Sequence, residues 1–287
     1  MLTMAHPLHF EAPTALQYFA VLVAEDDGFP VLEAALALAQ DDMPQLDVQG
    51  ELARIDALGL RLVRRIAPDA APLQRLRLLN QYFFQELGFA GNVNNFYDRR
   101  NSLLPDVLQT RRGIPITLAL LYIELAAQAG LQAAGVSFPG HFLIKVHMPK
   151  GEVVIDPFSG QSLSRDALEE RLQPFRQRRH LAADDETPLG LFLQPAAGRD
   201  VIARMLRNLK EIHHSVLDWE RLVHVQQRLV ILLPQAWDEH RDLALALAEL
   251  HRHGDAAMAL QTYLLHRADA PDATALRRHL ARWSRTS

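Results

Sequence analysis

Three runs between Asn92 and Gly160 decide the fold: Asn94-Asn95-Phe96-Tyr97-Asp98-Arg99-Arg100-Asn101-Ser102, then Arg112-Gly113-Ile114-Pro115-Ile116-Thr117, then Phe138-Pro139-Gly140-His141-Phe142 together with Ile155-Asp156-Pro157-Phe158. The first is turn-forming, because Asn, Asp and Ser side chains compete for backbone hydrogen bonds. A short helix over Leu103–Gln109 follows it. The second opens a helix: proline is tolerated at the first helical position, where its missing N–H has no partner anyway. From Ile114 to Ala126 the helix is apolar on nearly every side, which predicts burial, and Gly130 ends it. Glu124 is its odd polar group, either partnered or at the rim. The third run changes period. Val136 and Phe138, then Phe142, Ile144 and Val146, then Val153 and Ile155 read as short strands. Pro149-Lys150-Gly151 turns the last two into an antiparallel hairpin, with His141 and Asp156 on adjacent strands near its open end. The register of the turn, and so their separation, is not set by the sequence.

Working outward, residues 1–90 read as helical. Thr14 caps a run through Leu16, Phe19 and Val23, Pro30 starts another, and Asp41 and Asp42 follow it. Leu52, Ile55, Leu58, Leu62 and Ile66, then Leu73, Leu76, Leu79, Phe83 and Leu87, recur at helical steps, and Gly88 is a left-handed cap. Past the hairpin come a helix around Ser164–Leu172 and a charged connector, Arg176–Arg179 with Asp184-Asp185-Glu186. Pro195 to Gly198 is the expected boundary between residues 1–195 and a helical region, 199–287. In that region Leu206, Leu209, Asp218, Leu222 and Pro234 are echoed 37 residues on by Leu243, Ala246, Asp255, Ala259 and Pro271. Two helices and a proline at this spacing suggest tetratricopeptide-like hairpins, whose usual period is about 34 residues; an ordinary helical bundle is the alternative.

Composition narrows the function. The chain has 287 residues, 49% hydrophobic and 22% charged, as expected of a globular protein with a sizeable core. A net charge of −4 without a basic run argues against nucleic-acid binding. With no cysteine, disulfides, thiolate metal sites and a cysteine nucleophile are excluded. Met1 to Pro7 does not read as a signal peptide, and the apolar runs at 14–23 and 114–127 are too short to span a bilayer, so a cytoplasmic setting without membrane contact is expected.

A histidine oriented by an aspartate is two-thirds of an acyl-transfer site, the carboxylate fixing the tautomer of an imidazole that activates a nucleophile. The nucleophile usually sits at a buried helix start. Here that start, Gly113-Ile114-Pro115-Ile116-Thr117, has neither cysteine nor serine. The order of these elements resembles the transglutaminase-like superfamily of papain-like folds. The chain is more closely similar to the bacterial SirB-one family, which joins a transglutaminase-like core to tetratricopeptide-like helices. The text that carries the resemblance is Asn101-Ser102, Asp106-Val107-Leu108, Gly113 to Leu118, Pro139 to Leu143, Ile155 to Phe158 and Ala203 to Lys210. The resemblance implies an α+β, mostly helical fold: a papain/transglutaminase-like core with a small antiparallel sheet, then a tetratricopeptide-like domain. It places the superfamily's catalytic histidine and aspartate on His141 and Asp156 and its cysteine at Pro115 or a neighbour.

Other candidates rank below these. Thr117 offers the nearest hydroxyl and is either a substitute nucleophile or bonded to its own backbone. Asn94, Asn95, Tyr97, Asp98, Arg99, Asn101 and Ser102 form either a plain surface loop or, with Pro115 and Gly140, the lining of a pocket. Arg99, Arg100, Arg111 and Arg112 either clamp an anion or are solvated. His147, His213, His214, His251 and His253 read as exposed rather than as ligands of a metal, which needs three or four converging groups. No metal and no cofactor is expected. The expected role is a protein- or peptide-binding module built on an acyl-transfer cleft without its nucleophile, the repeat adding a second surface. The rival is a hydrolase or acyl transferase using another nucleophile or a water activated by His141.

Overall fold

The computed structural model describes residues 13–25, 28–178 and 187–283, so the Met1–Pro7 stretch and the Asp184–Glu186 part of the connector lie outside it. Thr14 and Gln17 form a reciprocal capping box at the start of α1 (Ala15–Leu22). Next come α2 (Val31–Ala37), α3 (Val48–Val63) and α4 (Pro72–Asn80), the last running on as a π-helical turn, Gln81–Glu86, that Gly88 ends at φ +71°. β1 (Ala90–Gly91) lies parallel to β2 (Arg112–Gly113), and between them come a 3-10 turn, Arg99–Ser102, and α5 (Leu104–Thr110).

α6 (Pro115–Gln128) is the axis of the first core. It packs on α3 and on the sheet, and Pro115 to Tyr122, Leu125 and Ala126 are all buried. Glu124 accepts from Gln128 at 2.9 Å. β3 (Ala133–Val136), β4 (Leu143–Met148), β5 (Gly151–Ile155) and β6 (Ser162–Leu163) make one antiparallel sheet in that order, with Ile144 opposite Ile155. Alternation gives the sheet two apolar faces. Phe142, Ile144, Val146 and Ile155 join the core around α6, while Val136, Leu143 and Val154 pack with Leu168 and Leu172 of α7 (Arg165–Arg178) and Leu189 of α8 (Leu189–Phe192).

The stretch expected as a boundary is packed in place. The Ala196 N–H donates to the Gly135 carbonyl, and a Cβ on Gly198 would meet Val31 at 2.6 Å. α9 (Gly198–Ser215) and α10 (Trp219–Leu232) then lie on α2 and α1, and Ile202, Leu206, Leu209, Val225 and Leu229 belong to the first core. The opposite face of α10, with Leu222 and Val223, packs with α11 (Trp237–Glu249), α12 (His253–His266) and α13 (Ala273–Trp283) in a second core.

The helices after Gly198 repeat at 34 residues, not at the 37 of the sequence echo. Leu217 and His251 both adopt the left-handed conformation, at φ 56° and 57°. The Asp218 N–H reaches the His213 carbonyl at 2.9 Å, as the Arg252 N–H reaches that of Leu247 at 3.0 Å. The next turn repeats too: Ala236 N–H donates to Leu233, and Ala270 N–H to Arg267. All of these pairs are 34 positions apart, the tetratricopeptide period. Among the described residues, no helix is long and apolar enough to cross a membrane.

Candidate functional site

Gly140, at φ +72°, turns the chain between Phe138 and β4, and the His141 N–H closes the turn on the Phe138 carbonyl at 3.0 Å. Asp156 follows the last residue of β5, and its N–H and carbonyl close the loop to Gln161 and Gly160. The two side chains meet, with His141 Nε2 2.9 Å from Asp156 Oδ1. The carboxylate is 4% exposed and fully engaged: Phe158 N–H donates to Oδ1 at 2.9 Å and Arg171 to Oδ2 at 3.1 Å. Burial alone pushes the Asp156 carboxyl up, but His141, the Phe158 N–H and Arg171 outweigh it and hold the pKa down to about 2. Asp156 is therefore ionised at any ordinary pH. Because Nε2 faces Asp156, Nδ1 is the ring nitrogen left for other chemistry.

The loop carrying Asp156 is itself pinned from behind. Gly91 N–H donates to the Phe158 carbonyl at 2.9 Å, and a Cβ on Gly91 would meet the Phe158 ring at 2.2 Å. Only glycine allows that close approach. The short β1–β2 ladder thus positions the acid through Phe158.

His141 lines a cleft of about 700 Å³. One wall is the start of α6, Ile114, Pro115 and Ile116; Phe96, Tyr97 and Ser102 form the second, and Gly140 and Phe142 lie beside the histidine. The third is a face of α9: Arg204, Asn208, Glu211, Ile212 and Ser215. Sequence reading missed this third wall, although Ala203 to Lys210 stands out in the sequence and its steps of three and four mark one helical face.

Of the loop residues expected at a pocket, Tyr97 and Ser102 line this cleft, as do Pro115 and Gly140. The others serve the loop's own structure. Asn101 is buried, its amide donating to the carbonyls of Asn95 and Phe96 and its Oδ1 accepting from Asn92. Asn95 N–H donates to the Asn92 side chain, Asp98 is bound by Arg100, and Asn94 is exposed. Arg99 pairs with Asp42 at 2.7 Å; Asp42 also takes Arg221, and Asp41 takes Arg228. Arg111 lies over the Phe89 ring and Arg112 donates to the Gly88 carbonyl.

The Thr117 hydroxyl is buried away from the cleft, shared between the carbonyls of Asn101 at 2.8 Å and Ile114 at 3.0 Å. Ser102 differs. It is 1% exposed, its Oγ has no hydrogen-bond partner among the described residues, and it lines the cleft. The expectation of exposed helix histidines fails twice: His253 is half-buried, its ring stacked near Trp283, and His213 is buried because it lies on the inner face of α9 with Leu206 and Leu209. Burial pushes its pKa down against the pull of Asp218, 3.9 Å away. Among the described residues no group of three or more His, Asp or Glu side chains could hold a metal ion.

A family model described as the transglutaminase-like superfamily matches residues 50–207, and a tetratricopeptide repeat model matches 209–281. A UPF0162 protein of Xylella fastidiosa strain 9a5c is 33% identical, over 85% of this chain and 86% of its own length. UPF0162 protein PA3419 of Pseudomonas aeruginosa is 30% identical over 83% of each. Human F-box only protein 21 is 29% identical over 44% of this chain and 24% of its own length.

Proposed function

Since the chain belongs to the transglutaminase-like superfamily, among the UPF0162 proteins of the SirB-one type, we propose that it is a non-catalytic member that binds a peptide or protein segment in the superfamily's cleft. The observation that carries this reading is an intact His141–Asp156 pair beside a helix start that holds Pro115, in a sequence without cysteine. Proline contributes neither a nucleophile nor an N–H for an oxyanion. The pair then shapes and polarises one wall of a binding cleft. The cleft is mainly apolar with a few polar groups, the usual make-up of a recognition site. Tetratricopeptide hairpins commonly present concave surfaces to other proteins, and α9 joins the two parts because it lines the cleft and opens the repeat.

The test is peptide binding by wild type and by His141→Ala and Tyr97→Ala variants of unchanged melting temperature. Affinity that falls in both variants, with the peptide recovered intact, supports the reading. Affinity untouched by either change removes the cleft from the function.

A second reading rests on Ser102, which lines the cleft with His141 and whose hydroxyl has no partner among the described residues. As an acyl acceptor it would attack a carbonyl through Oγ and pass its proton to Nδ1 of His141, with water then releasing the acyl group. Nδ1 does not contact the hydroxyl in this structure and would have to be brought within hydrogen-bond reach by the substrate or a bridging water. A fluorophosphonate that labels wild type but neither Ser102→Ala nor His141→Ala would establish this second reading and displace the first.

A further inference from the structure

Arg204 is a cation without a counter-ion. It is half-buried on α9, its guanidinium 5.5 Å from the Phe142 ring centroid. Among the described residues it makes no hydrogen bond and no ion pair. Other covered arginines have partners: Arg75 reaches the carbonyls of Ala70 and Ala129, Arg199 those of Leu232 and Val23, and Arg228 the carboxylate of Asp41. Arg111 also lies over a ring, Phe89, but does not line this cleft. Desolvation disfavours the charged form of Arg204 and pushes its pKa down, an unfavourable state that an anion in the cleft would relieve.

Ser102 supplies an independent observation. Its hydroxyl is almost wholly enclosed, bonds to nothing among the described residues and borders the same space. An unmet hydroxyl costs free energy that a ligand's hydrogen-bonding group removes. Asn208 lies one helical turn beyond Arg204 and lines the cleft with it. Glu211, exposed on the next turn, brings the opposite charge to the rim, so the wall runs from a covered cation to an open anion.

We propose that Arg204, together with Ser102 and Asn208, anchors the C-terminal carboxylate of a short apolar peptide in this cleft; the assignment rests on the binding reading above. A terminus suits the site better than an acidic side chain. An internal Asp or Glu would carry peptide groups past on both sides, and each needs a hydrogen-bond partner when buried. The cleft that Ser102 borders is walled in part by Ile114, Pro115, Ile116 and Phe142, which offer mostly apolar side chains. A chain that stops there brings in fewer such groups. Its apolar side chains meet Phe96, Ile114, Ile116, Phe142 and Ile212. The cleft volume, about 700 Å³, suits a few residues rather than a long segment.

The experiment uses the full-length protein and a degenerate octapeptide pool prepared twice, with free and with amidated C termini. Retained peptides are identified by mass spectrometry after ultrafiltration and measured singly by fluorescence anisotropy. Retention from the free-acid pool is expected. Amidation of a retained peptide should raise its Kd about 10- to 100-fold, the usual range for a hydrogen bond to a charged group. Arg204→Gln should weaken the free acid to the same degree and leave the amide unchanged. Arg204→Lys, which keeps the charge, should recover part of the loss. Should Arg204→Gln fail to fold, the wild-type comparison of acid with amide still decides. Equal Kd for acid and amide, with His141→Ala still weakening both, would overturn the carboxylate anchor and leave the binding reading standing. Retention of no peptide from either pool would remove both.

Discussion

The two helical hairpins after Gly198 share their turns but not their neighbours. In the first, α9 and α10 pack on α2 and α1, α9 lines the cleft, and each helix buries a polar group: His213 at 3% exposed and Gln226 at 0%. At the equivalent positions, 34 residues on, the second hairpin buries Leu247 and Leu260. Its buried apolar side chains belong to the second core, while Glu239 and Asp242 of α11 pair with Lys210 of α9. One repeat unit is part of the transglutaminase-like core and its site, while the next stacks on its neighbour as in a solenoid. Repetition of the backbone therefore does not imply repetition of role.

The largest expected effect breaks the comparison at its packing. Leu229→Ala, in the first core, should cost about 2–5 kcal/mol and speed hydrogen exchange in α1, α2 and α10 together. Leu260→Ala in α12 should cost a similar amount, yet speed exchange only from α10 onward. If Leu260→Ala loosened α1 and α2 equally, the two hairpins would be one unit and the contrast would fail.

Next in size is Gly91→Ala, which forces a methyl into the Phe158 ring. Overpacking of this kind costs about 1–3 kcal/mol. It should also weaken peptide binding, because Phe158 N–H holds Asp156. A variant as stable as wild type by chemical denaturation would show that the Asp156 loop yields freely.

Acid should act on the core and not on the second hairpin through Asp156. Its folded pKa of about 2 lies below the unfolded 3.8, so its contribution is complete above pH 4 and is lost as the pH falls toward 2. The loss should be about 2 kcal/mol in wild type and absent in Asp156→Asn, read from urea midpoints between pH 5 and 2.

The smallest effect separates the hairpins at one position. His213 is held below its usual pKa of 6.5 by burial, with Asp218 and Asp42 opposing and Arg221 and Arg99 assisting. Below that pH the unfolded chain binds a proton that the folded chain refuses, so stability falls as pH drops through 6.5. His213→Leu, which copies Leu247 of the second hairpin, should remove that slope between pH 7.5 and 5.5.

The parts of the fold legible in the sequence were those with a strong period. The apolar run from Ile114 to Ala126 and the alternation around Ile144 and Ile155 each admit one reading, and Pro115, Gly130 and Gly140 punctuate them. β1 and β2 carry no period at two residues each. The true repeat was hidden because its turns use Leu217 and His251 in the left-handed conformation, where glycine would have marked them. Counting leucines and prolines instead gave 37, since Pro234 and Pro271 do not sit at equivalent places in the two units. Part of the site was legible for a chemical reason: histidine and aspartate flanking one hairpin have few other uses. Arg204 was not, because an amphipathic helix looks the same whether its polar groups meet water or a cleft.

The central claim is that this cleft holds its ligand and performs no chemistry on it. The direct measurement is mass spectrometry of protein and bound peptide after prolonged incubation, with wild type and His141→Ala side by side. The account predicts unmodified protein and intact peptide for both, with less peptide bound by the variant. A cleaved or transferred acyl group that forms with wild type and not with His141→Ala would contradict it.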